Sequence, residues 1–211
     1  MPPHITAATG VDVLTHALEA WMSANASSET DYYAASATRT VMQYLPLAYK
    51  DGSDLKAREE MGVAAHYGGI AFNKAGLGYV HAIAHQLGAI YGIPHGRANA
   101  IVLPHILDVN CDVSKHRLAT LAKKAGIVDA AHANAEDAKL ADHLIAEVRA
   151  LIKSLNIDVT VKGINPADFK KIAKGAAKEV SDTYAVPRYL TQAQIVDVLN
   201  KIKADSDAVA K

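Results

Sequence analysis

The chain has 211 residues, half of them hydrophobic, with Lys plus Arg and Asp plus Glu balanced at 22 each. That is enough apolar material for a buried core, and it leaves no net field to draw the chain onto a nucleic-acid backbone or an anionic membrane. No run of about 18 apolar residues is present, so a membrane span is excluded, and the single Cys111 rules out an internal disulfide. With no start resembling a secretory signal, these features fit a cytoplasmic protein with small, roughly neutral partners.

Nearly every segment reads as helix, and the β-branched alternation of strands is missing, so the fold class is all-α. A first helix is predicted after Thr6, as N-cap, through Val11 to Trp21. Asn25 to Ser28 form a polar break. A second helix covers Thr30 to Tyr44, ended near Pro46, and a third runs from Leu55 to about Phe72. Within the third, Gly68-Gly69 marks a close approach by a neighbouring backbone. Gly76-Leu77-Gly78 breaks the chain before a fourth helix over Tyr79 to Ile90. Gly92-Ile93-Pro94-His95-Gly96 is a loop into a fifth helix, which Pro104 should kink or end. Further helices are expected over Ser114 to Ala125, Ala135 to Leu155, Pro166 to Val180 and Thr191 to Ala204. Asn165 and Thr191 are their N-caps where one is evident, and Gly126 is a stop. No solenoid repeat is present.

Ten histidines stand against two phenylalanines and one tryptophan, and five of them lie between His66 and His105. Asp12 and His16 are four apart on the first helix, which places both on one face about 6 Å apart along the axis. His81 and His85 repeat that spacing on the fourth helix, and His95, between a proline and a glycine, is able to fold back over the same site. A mixed imidazole and carboxylate set suits Fe(II), Zn(II) or Co(II) better than Ca(II) or Mg(II). Each pair also has a plainer reading: a helical His-x-x-x-His is commonly a surface or core pair, and Asp12 a carboxylate placed for the helix dipole.

Read whole, two stretches carry a resemblance. Thr6-Ala7-Ala8-Thr9-Gly10-Val11-Asp12-Val13-Leu14-Thr15-His16-Ala17-Leu18-Glu19-Ala20 is similar to the first metal segment of the iron-dependent, group III alcohol dehydrogenases. Gly76-Leu77-Gly78-Tyr79-Val80-His81-Ala82-Ile83-Ala84-His85-Gln86-Leu87-Gly88-Ala89, followed by Pro94-His95-Gly96-Arg97-Ala98-Asn99-Ala100, is similar to the second. The resemblance covers roughly the N-terminal half. Near the C-terminus the family often has Cys-Thr-x-x-Asn-Pro-Arg, whereas this chain reads Ser181-Asp182-Thr183-Tyr184-Ala185-Val186-Pro187-Arg188, a departure that bears on the substrate.

The resemblance implies that Asp12, His16, His81 and His95 hold one metal ion, Fe(II) by family and Zn(II) by affinity order. It also implies that His85 is a proton-relay group beside the site. The activity implied is metal-assisted hydride transfer between a primary or short-chain alcohol or aldehyde and NAD or NADP. Phe72, Tyr79 and Tyr91 are candidates to shape the alcohol pocket, with core packing as the plainer reading. His66 and His105 read as packed or capped, and His116, His132 and His143 as surface.

The family's nucleotide-binding domain, with its glycine-rich phosphate turn, is not found before Asp12, and Gly76-Leu77-Gly78 is too short to replace it. Residues 1–211 are therefore expected to be a helical C-terminal half: a cloned domain, a split gene product or a truncated one. Such a half would bind metal but, alone, bind NAD(P) poorly; its further partners are the missing nucleotide domain and, as an open possibility, a second copy. Two alternatives stand beside this reading. One is a non-catalytic binding or oligomerisation module stapled by the metal. The other is a different reaction on the same fold, as in the dehydroquinate synthases and glycerol dehydrogenases. The His81-Ala82-Ile83-Ala84-His85 spacing and Pro94-His95-Gly96 favour the alcohol dehydrogenase branch.

Overall fold

The structure is a computed structural model that describes residues 1–209. Among these, eight α-helices and one short 3-10 turn are present and no strand. The helices are α1 Pro3–Met22, α2 Ser28–Lys50, α3 Leu55–Ala75, α4 Tyr79–Tyr91, α5 His95–Lys124, α6 Asp137–Ser154, α7 Phe169–Thr183 and α8 Gln192–Val209; the 3-10 turn Pro166–Asp168 leads into α7.

Helix α1 is the hub. It packs against α2, α3 and α5, and Val11, Leu14, Leu18 and Trp21 on it are fully or almost fully buried. Helix α5 carries α4 and α6 on its sides, while α4 also rests on α7, and α7 on α8. One continuous apolar core results, running from Ala7 to Ile202 in sequence.

Several boundaries differ from the sequence reading. Helix α1 starts at Pro3 rather than after Thr6, because a proline in the first turn gives up only an N–H that has no helical partner. Thr6 is buried inside the helix instead of capping it. Pro46 does not end α2, which continues one turn to Lys50. Nor does Pro104 end α5, so the fifth helix and the one expected over Ser114 to Ala125 are a single element. An internal proline costs a helix about 3 kcal/mol. Here Leu45 and Ala48 around Pro46, and Leu103, Ile106 and Leu107 around Pro104, are all buried; apolar burial on both sides of the break offsets that cost.

Gly68 makes the expected close approach: a Cβ there would sit 3.3 Å from Val13 Cγ1 and 3.4 Å from the Val13 carbonyl oxygen. Gly69 faces open space. Asn165 and Thr191 act as caps, accepting from the backbone N–H groups of Ala167 and Gln194, and Gly126 follows α5 with φ of 70°.

Candidate metal centre

Three elements meet at the centre. Helix α1 supplies Asp12 and His16, α4 supplies His81, and the first residue of α5 is His95. Asp12 Oδ1 lies 3.7 Å from His16 Nε2, 3.4 Å from His81 Nε2 and 3.3 Å from His95 Nε2. One donor atom from each of the four residues lies within 4.8 Å of all the others. The α1 spacing of four residues and the short turn from α4 into α5 account for the convergence, and packing of α1 on α5 closes it.

The glycine after His95 makes that packing tight. A Cβ on Gly96 would come within 2.3 Å of the Ala8 carbonyl oxygen and 2.7 Å of its carbon, so only glycine lets α5 begin so close to α1.

The titration of the cluster is split. Burial favours neutral His81, but hydrogen bonds with Asp12 and Glu19 outweigh it and raise the pKa from 6.5 to about 9. Burial pushes His16 down to about 4, and the Asp12 charge offsets only part of this. Burial also acts to raise Asp12, yet hydrogen bonds with His81 and His95 and the charge of His16 hold its carboxyl far below the usual range. Burial drives the His16 shift, while hydrogen bonds and nearby charges outweigh burial at His81 and Asp12.

Two residues outside the predicted set belong to the cluster. Asn99, one turn along α5 from His95, donates its side-chain amide to Asp12 Oδ1 at 2.6 Å and lies 3.2 Å from Nε2 of both His81 and His95. Its Oδ1 is buried without a protein partner. Glu19 is buried on α1, with Oε2 2.6 Å from His81 Nδ1 and Oε1 accepting from the Val80 backbone N–H at 2.7 Å. The sequence held a signal for Glu19, since a carboxylate seven residues after Asp12 and three after His16 shares their helical face. Asn99 had the matching signal, four residues after His95.

His85 stands at the rim, its ring centroid 5.9 Å from that of His81 and 5.3 Å from that of His95. Its Nδ1 is 2.8 Å from Glu179 Oε1 on α7, and the Tyr184 hydroxyl donates to the same oxygen at 3.0 Å. Phe72 stacks on His16 at 4.4 Å. Tyr79 is instead tied to Leu190, donating to its carbonyl and accepting from its N–H. Tyr91 is tied to Asp168 and Asn165. Neither hydroxyl is hydrogen-bonded to the cluster.

The other histidines lie elsewhere. His66 is exposed, not packed, because α3 turns that face to solvent. His105 is mostly buried and lies 3.4 Å from Asp205. His116 is exposed beside Asp137. His132 and His143 are half-buried, not fully on the surface, and with Asp129 form a second group of metal-capable side chains. Their rings are stacked 4.0 Å apart at 17°, and Asp129 accepts from the His132 backbone N–H and lies 2.6 Å from its Nδ1.

A model of the Fe-containing alcohol dehydrogenase family, C-terminal, matches residues 6–203. The chain belongs to the Fe-containing alcohol dehydrogenase family. This family member is 40% identical over 200 residues to 1,3-propanediol dehydrogenase of Citrobacter freundii, covering 95% of this chain and 51% of that one. It is 38% identical over 205 residues to alcohol dehydrogenase 4 of Saccharomyces cerevisiae, with the same coverages. A crystal structure of 1,3-propanediol oxidoreductase superposes with a TM-score of 0.90 at 36% identity, over 96% of this chain and 52% of that one. The alcohol dehydrogenase relatives named here are thus matched over about half their length.

The donor chemistry of the cluster fits the metal for which the family is named. Three imidazoles and one carboxylate are a borderline set suited to iron or zinc, and Asn99 Oδ1 is an orphaned buried acceptor beside them. Among the described residues no helix is long and apolar enough to cross a membrane.

Proposed function

We propose that this chain is the metal-bearing half of an NAD(P)-dependent alcohol dehydrogenase acting on a primary or short-chain alcohol or aldehyde. The observation that carries the reading is the convergence of Asp12, His16, His81 and His95 from three elements to within 4.8 Å. In this reading those four residues hold Fe(II), or Zn(II) in its place. When bound there, the ion supplies a Lewis acid for an alcohol or carbonyl oxygen.

The remaining work falls to side chains of the chain itself. Glu179 accepts from His85 Nδ1, so the lone pair of the ring is on Nε2, the nitrogen left to pass a proton to or from the site. The His85 side chain is 39% exposed, open enough to exchange that proton with water or a cofactor hydroxyl. Phe72, stacked on His16, provides an apolar wall that limits water beside the cluster. The nicotinamide cofactor would be held chiefly by a nucleotide-binding partner domain.

Metal analysis of protein purified without chelator tests the reading. A stoichiometric amount of iron or zinc is expected, and it should disappear in a His81→Ala, His95→Ala double variant. Unchanged metal content in that variant would overturn the assignment. Alcohol oxidation should be measured with the nucleotide-binding domain supplied, and should be lost on His16→Ala; retained activity would remove the metal from the chemistry.

A further inference from the structure

We propose that Glu19 is the positioning residue that fixes the ligand tautomer of His81 and so sets the metal affinity of the centre. The inference rests on the metal reading above. Glu19 is 4% exposed, and a carboxylate that deep is costly unless both oxygens are satisfied. Both are, by donors of different kinds. Oε1 accepts the backbone N–H of Val80, in the first turn of α4, at 2.7 Å. That group is one of the helix's unpaired N-terminal donors, and Gly78, the α4 cap, provides no side chain to meet it. Oε2 faces His81 Nδ1 at 2.6 Å.

An ionised carboxylate only accepts, so when the ring carries a single proton the shorter contact, 2.6 Å to Glu19 against 3.4 Å to Asp12, holds it on Nδ1. The Nε2 lone pair then faces Asp12, 3.4 Å away. Asn99 agrees from the other side of the ring: its amide nitrogen, which only donates, lies 3.2 Å from the same Nε2. Gly78 leaves room for the arrangement, because a Cβ there would come within 2.8 Å of Glu19 Oε1. A carboxylate behind a ligating imidazole both aims the ring and raises its basicity.

The chemistry makes Glu19→Gln more than a loss of charge. The Val80 N–H requires an acceptor, so the glutamine keeps its oxygen there and turns its NH₂ toward Nδ1. A donor at that position makes Nδ1 the acceptor and moves the ring proton to Nε2, the nitrogen that must be bare to bind metal.

The experiment is a zinc titration of the full chain by competition with a chromogenic chelator, wild type against Glu19→Gln. It is paired with long-range ¹H–¹⁵N spectra of the histidine rings, recorded in base, where a neutral ring carries a single proton. The expected result is an affinity loss of about 10- to 100-fold, with the His81 proton on Nδ1 in the wild type and on Nε2 in the variant. Equal affinity in a folded Glu19→Gln protein overturns the proposal. If the variant does not fold, the wild-type spectrum decides alone, and a proton on Nε2 of His81 overturns it. A wild type that binds no zinc sinks the metal reading instead, while the ring spectrum still reports on Glu19.

Discussion

Asn99 donates its side-chain amide to Asp12 at 2.6 Å while the oxygen of the same amide, buried, has no protein partner. Asn99 is fully buried and the Asp12 side chain 20% exposed, so water screens the interaction only in part. Replacement by leucine keeps the volume and removes the donor, which leaves Asp12 with one fewer hydrogen bond. The expected loss of stability is about 1.5–3 kcal/mol, the range for a hydrogen bond to a charged group. Urea unfolding in the presence of a chelator measures it, and a change below about 0.5 kcal/mol would mean that the amide contributes little to holding Asp12.

Arg117 and Trp21 form a second tie, at the C-terminal end of α1. The indole N–H donates to the Arg117 carbonyl at 2.7 Å, and the guanidinium carbon lies 4.5 Å from the ring centroid. The same guanidinium binds Asp31 with two contacts, at 2.6 and 2.9 Å, and also donates to the Trp21 carbonyl. Lysine keeps the charge but not the fork, so Arg117→Lys is not a conservative change here. The group is partly exposed, which discounts its worth to about 1–2 kcal/mol. Trp21 is the single tryptophan, and its fluorescence follows the unfolding directly. Unfolding midpoints identical in the two proteins would contradict the argument.

His105 ties stability to pH. Burial lowers its pKa from 6.5, and Asp205 recovers only part of the shift. A histidine depressed in the fold binds its proton more readily when unfolded. The fold therefore loses stability as pH falls below 6.5 and stops losing it once the folded pKa is passed. The comparison is between wild type and His105→Gln, so that pH effects common to both proteins cancel. The expected outcome is a smaller drop in unfolding midpoint from pH 7 to pH 5 in the variant. An equal or larger drop would show that His105 does not carry the effect.

Much of the site was legible because helical spacing is a local property. Asp12 with His16, and His81 with His85, each share a helix face by being four apart, and a run of small and apolar residues marks each helix. What the sequence hid were contacts between helices. Glu19 shares the helical face of Asp12 and His16, but its partners Val80 and His81 arrive only when α4 is packed over it. Glu179 is on α7, 94 residues from the His85 that it meets. The two prolines misled for the same reason. Local rules end a helix at Pro46 and Pro104, whereas burial of Leu45, Leu103 and Leu107 acts over distances that a local reading does not see.

Two glycines separate a packing requirement from a conformational one. At Gly96 an added methyl would meet the Ala8 carbonyl group, oxygen and carbon both, at 2.3 and 2.7 Å. Both are backbone atoms of α1, and no side-chain rotation relieves the contact. Gly96→Ala therefore has to push the start of α5 away from α1, which carries His95 away from Asp12. The expected cost of overpacking is about 1–3 kcal/mol, together with a fall in zinc affinity, because the ligand set no longer closes. Gly69 is the matched control, sitting inside α3 with nothing within 4 Å of an added Cβ. There the methyl only removes unfolded-chain freedom, so Gly69→Ala should stabilise by about 0.5–1 kcal/mol and leave zinc affinity unchanged. Thermal unfolding and zinc titration of both variants test the pair. If Gly96→Ala binds zinc as the wild type does, the close approach of α5 to α1 is not what positions His95.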